Sequence, residues 1–486
     1  MKWLTHLFRK QKKTADKRPP QIFLTNTLSG KKELFISRRP GVVLLYTCGP
    51  TVYGPQHIGN LRPGITADIL TRTFSRVGYR VRRVMNITDV GHLTDNGDEG
   101  EDKMEIGARR DECAPEEIAQ RYATRFINDL GDLAIDTADI RFPRASEYIR
   151  EQIALAKTLE EKGFAYRIKS GLYFETSRFP GYGALGNLAG AALVEGARVA
   201  KAEGKRHPSD FALWRTAKPE DLQQWDSPWG RGNPGWHLEC SAMVRALLGP
   251  EIDIHTGGED LIMTHHNDEI AQSEAASGRP FVRYWLHNAF LTMGGEKVAK
   301  SLGNVVYLSD IVEKGFHPLS LRYLFLQAHY RTPLSFSWDA LAGAAEGLER
   351  LWKISRGIAN ESKRTGQSSE ARKHFLIAMR DDLATPQALG LLWDSLKSED
   401  YTPEEKWGLL EDAEAHLGLS LLDPHPIHVL GEEEIPKKIQ DLLTHRENAR
   451  ASQDFKEADR IRNDIERGGY HVDDGPHGPV LTRTAL

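Results

Sequence analysis

A histidine–glycine turn early in the chain has the residue types of a phosphate-binding site. His57, Gly59 and Asn60 follow an apolar run at 42–46 and precede a stretch with helical periodicity. Glycine lets the backbone approach a ligand closely, and the amino terminus of a helix favours phosphate oxygens. Taken alone, these residues fit a structural turn better than a binding site.

A second candidate phosphate site lies about 240 residues further along the chain. Lys297 and Lys300 stand three positions apart on a loop that starts with two glycines and continues through Ser301. Two lysines at this spacing can converge on one polyphosphate, and such a loop can move during a reaction. Without a partner motif, a solvated basic turn is the preferred interpretation.

Two cysteines, a histidine and a carboxylate form a candidate metal site. Cys48 lies in TCGP, Cys240 lies in WHLEC, and the run HHNDE contributes His265 and Glu269. The last two residues are four apart, which places both side chains on one face of a helix. This donor set suits tetrahedral zinc. The spacing also fits two buried thiols and a helical His–Glu contact.

Apolar runs and helical patterns predict the elements that position these residues. Residues 42–46 predict a buried strand, a helical pattern follows, and 79–87 predict the next strand. This order forms a βαβ unit and predicts a parallel sheet with ligands at the carboxyl ends of its strands. The acidic run between Val90 and Met104 predicts a solvated face. Beyond about residue 335 the pattern is mostly helical.

Composition excludes several classes of protein. The 486 residues are 40% hydrophobic and 27% charged, with a net charge of −4, which excludes disorder, collagen and coiled coil as descriptions of the whole chain. Three cysteines are too few for a disulfide framework and favour a reducing compartment. The basic residues before position 20 predict a solvated tail, with an arm that touches RNA or another anion as the weaker alternative.

Eight sequence runs together resemble the cysteinyl-tRNA synthetases, a family of class I aminoacyl-tRNA synthetases. In chain order they are YTCGPTVY, HIGN, NITDV, PGWHLECSAM, GGED, HHNDEIAQSE, KVAKSLGN and DGPHGP. HIGN and KVAKS resemble the paired HIGH and KMSKS signatures of class I. Asn60, Val298 and Ala299 depart from those signatures.

Carried over position by position, the resemblance implies a role for each candidate residue. The implied zinc ligands are Cys48, Cys240, His265 and Glu269. The implied ATP-binding residues are His57, Gly59, Asn60, Gly257, Gly258, Asp260, Lys297, Lys300 and Ser301. Among them, the residues implied to act on the phosphates during catalysis are His57, Asn60, Lys297 and Lys300. Thr88 and Trp236 match positions in the amino-acid pocket, and Cys113 has no implied role.

The same resemblance implies an architecture. It consists of an α/β catalytic domain with a Rossmann-type parallel sheet and an insertion, then a helical domain and a small carboxyl-terminal α+β module. The predicted segments are a basic tail (1–20), the first catalytic half (21–110), the insertion (111–207), the second catalytic half (208–335), a helical tRNA-binding domain (336–430) and an anticodon-binding module (431–486).

The implied reaction has two steps. ATP with Mg²⁺ activates L-cysteine to cysteinyl-adenylate, and the cysteinyl group then passes to the 3′ end of tRNA(Cys). The resemblance further implies that one zinc ion per chain selects the substrate thiolate. We expect a cytoplasmic monomer that does not contact membranes.

Two alternative functions stay open on the sequence. An amide-forming cysteine ligase would share the zinc and adenylate chemistry but typically lacks the terminal tRNA-binding module. A non-catalytic RNA-binding relative is suggested by the altered HIGN and KVAKS signatures. The retained His57, Lys297 and Lys300 argue against the second alternative.

Overall fold

The computed structural model describes residues 20–94, 100–186, 203–297, 304–422, 435–452, 454–467, 470–475 and 478–483. Most of the predicted basic tail lies outside these residues, as do Lys300 and Ser301 of the predicted phosphate-binding loop. Within the described ranges, none of the helices combines the length and the apolar character needed to cross a membrane.

A five-stranded parallel sheet forms the centre of the fold. With elements numbered in chain order, its strands lie in the order β11-β10-β3-β4-β5. Their bounds are β3 (Val42–Thr47), β4 (Arg80–Met85), β5 (Ile140–Arg141), β10 (Ile252–Gly258) and β11 (Val282–Asn288). The predicted α/β class and the predicted parallel sheet are confirmed.

Helices cover both faces of this sheet because the residues of β3 alternate between two cores. Val43 and Leu45 pack against α1 (Ile58–Arg76), which buries Ile58 and Leu61. The intervening Leu44 and Tyr46 pack in a separate cluster with residues of α5 (Trp236–Leu247) and α6 (His265–Ser277). A strand buried on both faces is apolar throughout, which explains the continuous run at 42–46.

Helices and a second sheet lie between β4 and β10. They comprise α2 (Lys103–Asp111), α3 (Pro115–Asp132), α4 (Ile149–Glu161), β6 (Ala165–Ile168), β7 (Gly171–Phe174), β8 (Phe211–Thr216) and β9 (Gly232–Pro234). The strands β6 to β9 form an antiparallel sheet, so two strands from each side of the predicted 207/208 boundary pair together. Strand β5, inside the predicted insertion, instead pairs with β4. A local sequence pattern does not reveal pairing between distant strands.

The remaining elements flank the parallel sheet or follow it. Near the start, β1 (Phe23–Asn26) pairs with β2 (Lys31–Leu34). After β11 come β12 (Leu291–Met293), β13 (Glu296–Lys297), α7 (Leu308–Glu313), α8 (Pro318–Leu326) and β14 (Leu334–Phe336). Four helices follow, α9 (Trp338–Glu361), α10 (Glu370–Arg380), α11 (Thr385–Lys397) and α12 (Pro403–Leu417). The last elements are α13 (Lys437–Ala451), α14 (Phe455–Arg467), β15 (Tyr470–Gly475) and β16 (Gly478–Arg483).

Candidate active site and metal centre

The carboxyl ends of the parallel strands bring the candidate residues to one edge of the sheet. Cys48 directly follows β3, Thr88 lies just beyond β4, and Gly257 and Gly258 end β10. This is where a parallel α/β sheet binds its ligands. Helices α5 and α6 supply Cys240, His265 and Glu269 from the flanking layer.

Gly49 fixes the turn that carries Cys48. A Cβ atom at position 49 would lie only 1.7 Å from the backbone oxygen of Asn86, so no larger residue fits there. The Gly49 amide donates to Oδ1 of Asn86 at 2.8 Å. The thiol of Cys48 is therefore positioned by the end of the neighbouring strand.

The four predicted zinc ligands lie together. Their donor atoms are all within 4.8 Å of one another. The Sγ atom of Cys48 lies 4.0 Å from Sγ of Cys240 and 3.7 Å from Oε1 of Glu269. Nε2 of His265 lies 3.1 Å from the same Glu269 oxygen. Donors about 2.0–2.3 Å from a tetrahedral zinc ion are separated by about 3.3–3.8 Å, so the spacing of this set fits such an ion.

A second donor set overlaps the first. Cys48 and Glu269 also group with His255 and His266, again within 4.8 Å. Sγ of Cys48 lies 3.3 Å from Nε2 of His266, and Nε2 of His255 lies 3.1 Å from Oε2 of Glu269. The geometry is thus consistent with a metal site in either set. The first set offers two thiols, which softer metals such as zinc prefer.

Mutual contacts within the cluster shift the protonation of its members. Burial raises the pKa of Glu269, but His255 and His265 outweigh burial and lower the pKa to about 2. Burial lowers the pKa of His265, yet hydrogen bonds with Cys240 and Glu269 raise it to about 10. Burial raises the pKa of the Cys48 thiol. Although burial also raises the pKa of Cys240, hydrogen bonds with Cys48 and His265 lower it to about 6.

We therefore expect metal affinity to rise with pH. Near pH 7 the metal-free protein keeps a proton on His265 and on Cys48, since the pKa of each lies above its ordinary value. A metal ion must displace both protons, so the apparent affinity rises by up to about 100-fold per pH unit. Calorimetric titration of metal-free protein between pH 6 and pH 8 measures this slope. A flat profile would contradict the assignment.

Several histidines around the cluster were not predicted from the sequence. Nδ1 of His266 lies 2.8 Å from Nε2 of His287, whose Nδ1 lies 2.8 Å from the Thr27 hydroxyl. Nδ1 of His237 lies 3.0 Å from Nδ1 of His265. Such contacts orient imidazole rings that surround a metal. The adjacent pair in HHNDE was the only sequence signal for His266.

A cavity of 450 Å³ opens next to the cluster. The predicted site residues that line it are Cys48, His57, Gly59, Asn60, Trp236, Gly258 and Asp260. Gly257 is buried beneath it, where an added Cβ would lie 2.8 Å from the His266 ring. The other predicted zinc ligands and Thr88 are buried behind the cavity wall. Lys297 ends strand β13, and its side chain is not among those described.

The histidine–glycine turn begins helix α1 on one side of this cavity. His57 is the residue directly before the helix, and the Ile58 amide donates to the carbonyl of Val306 at 2.8 Å. This contact links the turn to the chain that follows the KVAKS loop. The side-chain amide of Asn60 donates to Oε1 of Gln56 at 2.6 Å, which orients Asn60 at the cavity.

His92 and Lys103 also line this cavity and extend the predicted amino-acid pocket. The His92 ring stacks on Trp236 with centroids 4.0 Å apart. Its Nε2 lies 2.8 Å from Nζ of Lys103, and both residues line the cavity. The predicted solvated face concerns the acidic residues of this run. Residues 95–99 lie outside the described ranges, and Glu101 is exposed. His92 and Lys103 instead face the cavity, and the acidic composition around them gave no sign of this role.

Thr88 is connected to the Cys/His/Glu cluster through a residue that the sequence did not single out. Its hydroxyl donates to Oε2 of Glu239 at 3.0 Å, and Glu239 directly precedes Cys240. Burial raises the pKa of Glu239 well above its ordinary value. The pair fixes the end of β4 against helix α5, so Thr88 and the metal cluster are positioned together.

The comparisons with known proteins define the class of this protein. Residues 35–346 match the family of class I (C) tRNA synthetase catalytic domains. The methionyl-tRNA synthetase of Mycobacterium tuberculosis, solved with methionyl-adenylate, covers 78% of this chain and 90% of its own at a TM-score of 0.55 and 16% identity. The LeuRS of Agrobacterium radiobacter K84, solved in a ternary complex, aligns with 80% of this chain and 86% of its own length. The TM-score is 0.57 and the identity 12%. The chain is a class I tRNA synthetase.

Relatives that match nearly the whole chain identify the family more closely. The cysteine–tRNA ligase 1 of Burkholderia lata is 44% identical over 96% of this chain and 97% of its own. The cysteine–tRNA ligase of Chlorobium chlorochromatii is 42% identical, and that of a Thermus thermophilus strain is 41% identical. Each match covers 94% of this chain and 98% of the relative. This chain belongs to the cysteine–tRNA ligase family, which confirms the resemblance found in its sequence.

Proposed function

We propose that this chain catalyses the ATP-dependent attachment of L-cysteine to tRNA(Cys) through cysteinyl-adenylate. The cavity that joins the histidine–glycine turn to the Cys/His/Glu cluster carries this proposal. Similarity to tRNA ligases over 94% or more of the chain favours this function over an amide-forming cysteine ligase.

We assign the metal site to one zinc ion held by Cys48, Cys240, His265 and Glu269. Its spacing fits tetrahedral zinc, and its two sulfur donors favour a soft ion. A bound zinc ion supplies a Lewis acid that prefers the thiolate of cysteine to the hydroxyl of serine. Cys48 lines the cavity, so the cluster is next to the space for substrate.

The remaining residues position ATP and the amino acid. His57, Gly59 and Asn60 lie at the amino terminus of α1, which favours the phosphates of ATP bound with Mg²⁺. Gly258 and Asp260 also line the cavity and are assigned to the ribose of ATP. Trp236 provides an apolar wall for the amino acid, held in place by its stack on His92. The reaction then depends on positioning and charge stabilisation.

The carboxyl-terminal segments are assigned to tRNA. Helices α9 to α12 form the proposed tRNA-binding domain, and α13 to β16 form the proposed anticodon-binding module. The full-length match to tRNA ligases supports both assignments. We further propose that the enzyme is a cytoplasmic monomer.

Cysteine-dependent exchange of labelled pyrophosphate into ATP tests the activity. We expect exchange to require L-cysteine, and transfer to require tRNA(Cys). Exchange without cysteine-dependent charging of RNA would favour the amide-forming ligase, and no exchange by zinc-loaded protein would favour a binding-only protein.

Lys300→Ala is expected to slow adenylate formation while zinc content stays unchanged. Loss of one donor to a charged transition state typically costs about 10²–10³-fold in rate. Pyrophosphate exchange and metal analysis of the same preparation measure both effects. Loss of both zinc and activity would show that the phosphate-binding loop and the metal site do not act independently.

A further inference from the structure

A second concave site lies along the first part of strand β4, away from the active-site cavity. Its volume is 860 Å³, and six arginines and three aspartates line it. Among the described residues it shares no lining residue with the cavity that contains Cys48 and His57. Strand β5 pairs with β4 only at Arg83 and Val84, so the cleft follows the edge that β5 leaves uncovered.

The arginines of the cleft come from three parts of the fold. Arg80 and Arg82 are exposed on β4, and Arg141 is exposed on β5. At the end of α1, a terminal nitrogen of Arg76 lies 3.3 Å from Oδ1 of Asp412, which partly neutralises the charge of Arg76. The lining therefore carries an excess of positive charge along one strand edge.

Arg83 is buried in the wall of the cleft with only partial compensation of its charge. Its side chain is 3% exposed, and its nearest carboxylate oxygen, on Asp68, is 3.9 Å away. The other oxygen of Asp68 binds Arg72 at 2.8 Å and Arg322 at 2.6 Å. Three arginines thus share one carboxylate.

The guanidinium of Arg83 also keeps an unused donor. One of its terminal nitrogens donates to the carbonyl of Gly64 at 3.1 Å. Its Nε has no hydrogen-bond partner among the described residues. A buried cation without adequate partners is costly, and an anion in the cleft would lower that cost.

We infer that this cleft is a second ligand site, which binds a small anion with several phosphate groups. Guanidinium groups bind phosphate oxygens in a fixed two-pronged geometry, and exposed arginines at positions 80 and 82 lie on the same face of the strand. The cleft is large enough for an oligophosphate. Side chains alternate along a strand, so Arg83 lies on the face towards Gly64 and Asp68 of α1, opposite the face that carries the exposed arginines. Arg83 therefore adds positive potential at the wall of the cleft, and the exposed arginines supply the contacts to the anion. The concave shape of the cleft fits a compact anion better than the backbone of an RNA duplex. This inference does not rest on the proposed function.

Calorimetric titration with inorganic tripolyphosphate tests the inference. The full-length protein is first saturated with L-cysteine and a non-hydrolysable ATP analogue, whose triphosphate occupies the phosphate side of the active-site cavity. We expect saturable binding at one further site. The double variant Arg80→Gln/Arg82→Gln is expected to weaken binding at least tenfold, whereas Arg350→Gln, an exposed arginine of α9, leaves it unchanged. Because the altered side chains are exposed, the variant keeps its fold.

Two results would overturn the inference: the absence of saturable binding to the wild-type protein, and equal binding by the double variant. If the wild type does not bind tripolyphosphate and the double variant loses tRNA binding, the arginines are assigned to RNA instead. Cysteine-dependent pyrophosphate exchange should persist in the double variant, which separates this test from a test of the proposed function.

Discussion

Cys240→Ser is expected to release the metal ion and to abolish cysteine activation. Cys240 is 1% exposed and its sulfur lies 4.0 Å from that of Cys48, so a hydroxyl there replaces one of two soft donors. Changes outside the ligands of a zinc site already cost about 10–100-fold in affinity, and loss of a ligand costs more. Metal analysis and pyrophosphate exchange on the same protein measure both losses.

This variant also distinguishes the two overlapping donor sets. If the ion were held by Cys48, His255, His266 and Glu269, Cys240→Ser would retain it. In that case His266→Gln would release it instead. Cys113→Ser is the matched control, because the third cysteine is half-buried and lies outside both sets. A Cys113→Ser protein without metal would indicate general damage from cysteine replacement.

Local sequence patterns indicated three residues of the Cys/His/Glu cluster, and the family resemblance implied the complete set. His265 and Glu269 are one helical turn apart, and Cys48 directly follows an apolar strand. The sheet then brings these motifs together, as a βαβ arrangement requires. The resemblance joined Cys240 to them, although no spacing rule connects it to the other three residues.

The supporting residues could not be predicted because their partners are distant in the sequence. His255 lies within a buried strand and reaches Glu269 only when β10 packs under α6. His92 stacks on Trp236, which is 144 positions away in the chain, and His92 lies beside an acidic run. Strand β8 pairs with β7 across the predicted 207/208 boundary, and this pairing was not predicted for the same reason: the two strands are distant in the sequence. Long-range packing leaves no periodic signal in the sequence.

Discrimination between cysteine and serine is expected to exceed about 10³-fold in kcat/KM, because packing differences of one atom give only about 10–200-fold. A preference of that size requires a donor set that distinguishes sulfur from oxygen. Cys48 lines the cavity, so an ion held by this donor set would lie at the cavity wall, within reach of a substrate side chain. Cysteine-dependent and serine-dependent pyrophosphate exchange measure the ratio.

Removal of the metal tests the origin of this selectivity. In chelator-treated protein, cysteine activation should fall towards the serine rate, so that the ratio drops to about 200-fold or less. Readdition of zinc should restore it, and circular dichroism before readdition checks that the fold persists. Full selectivity in the metal-free protein would assign the discrimination to the pocket walls around Trp236 and Thr88. In that case the cluster would have a structural role, with Cys48 and Cys240 joining strand β3 to helix α5.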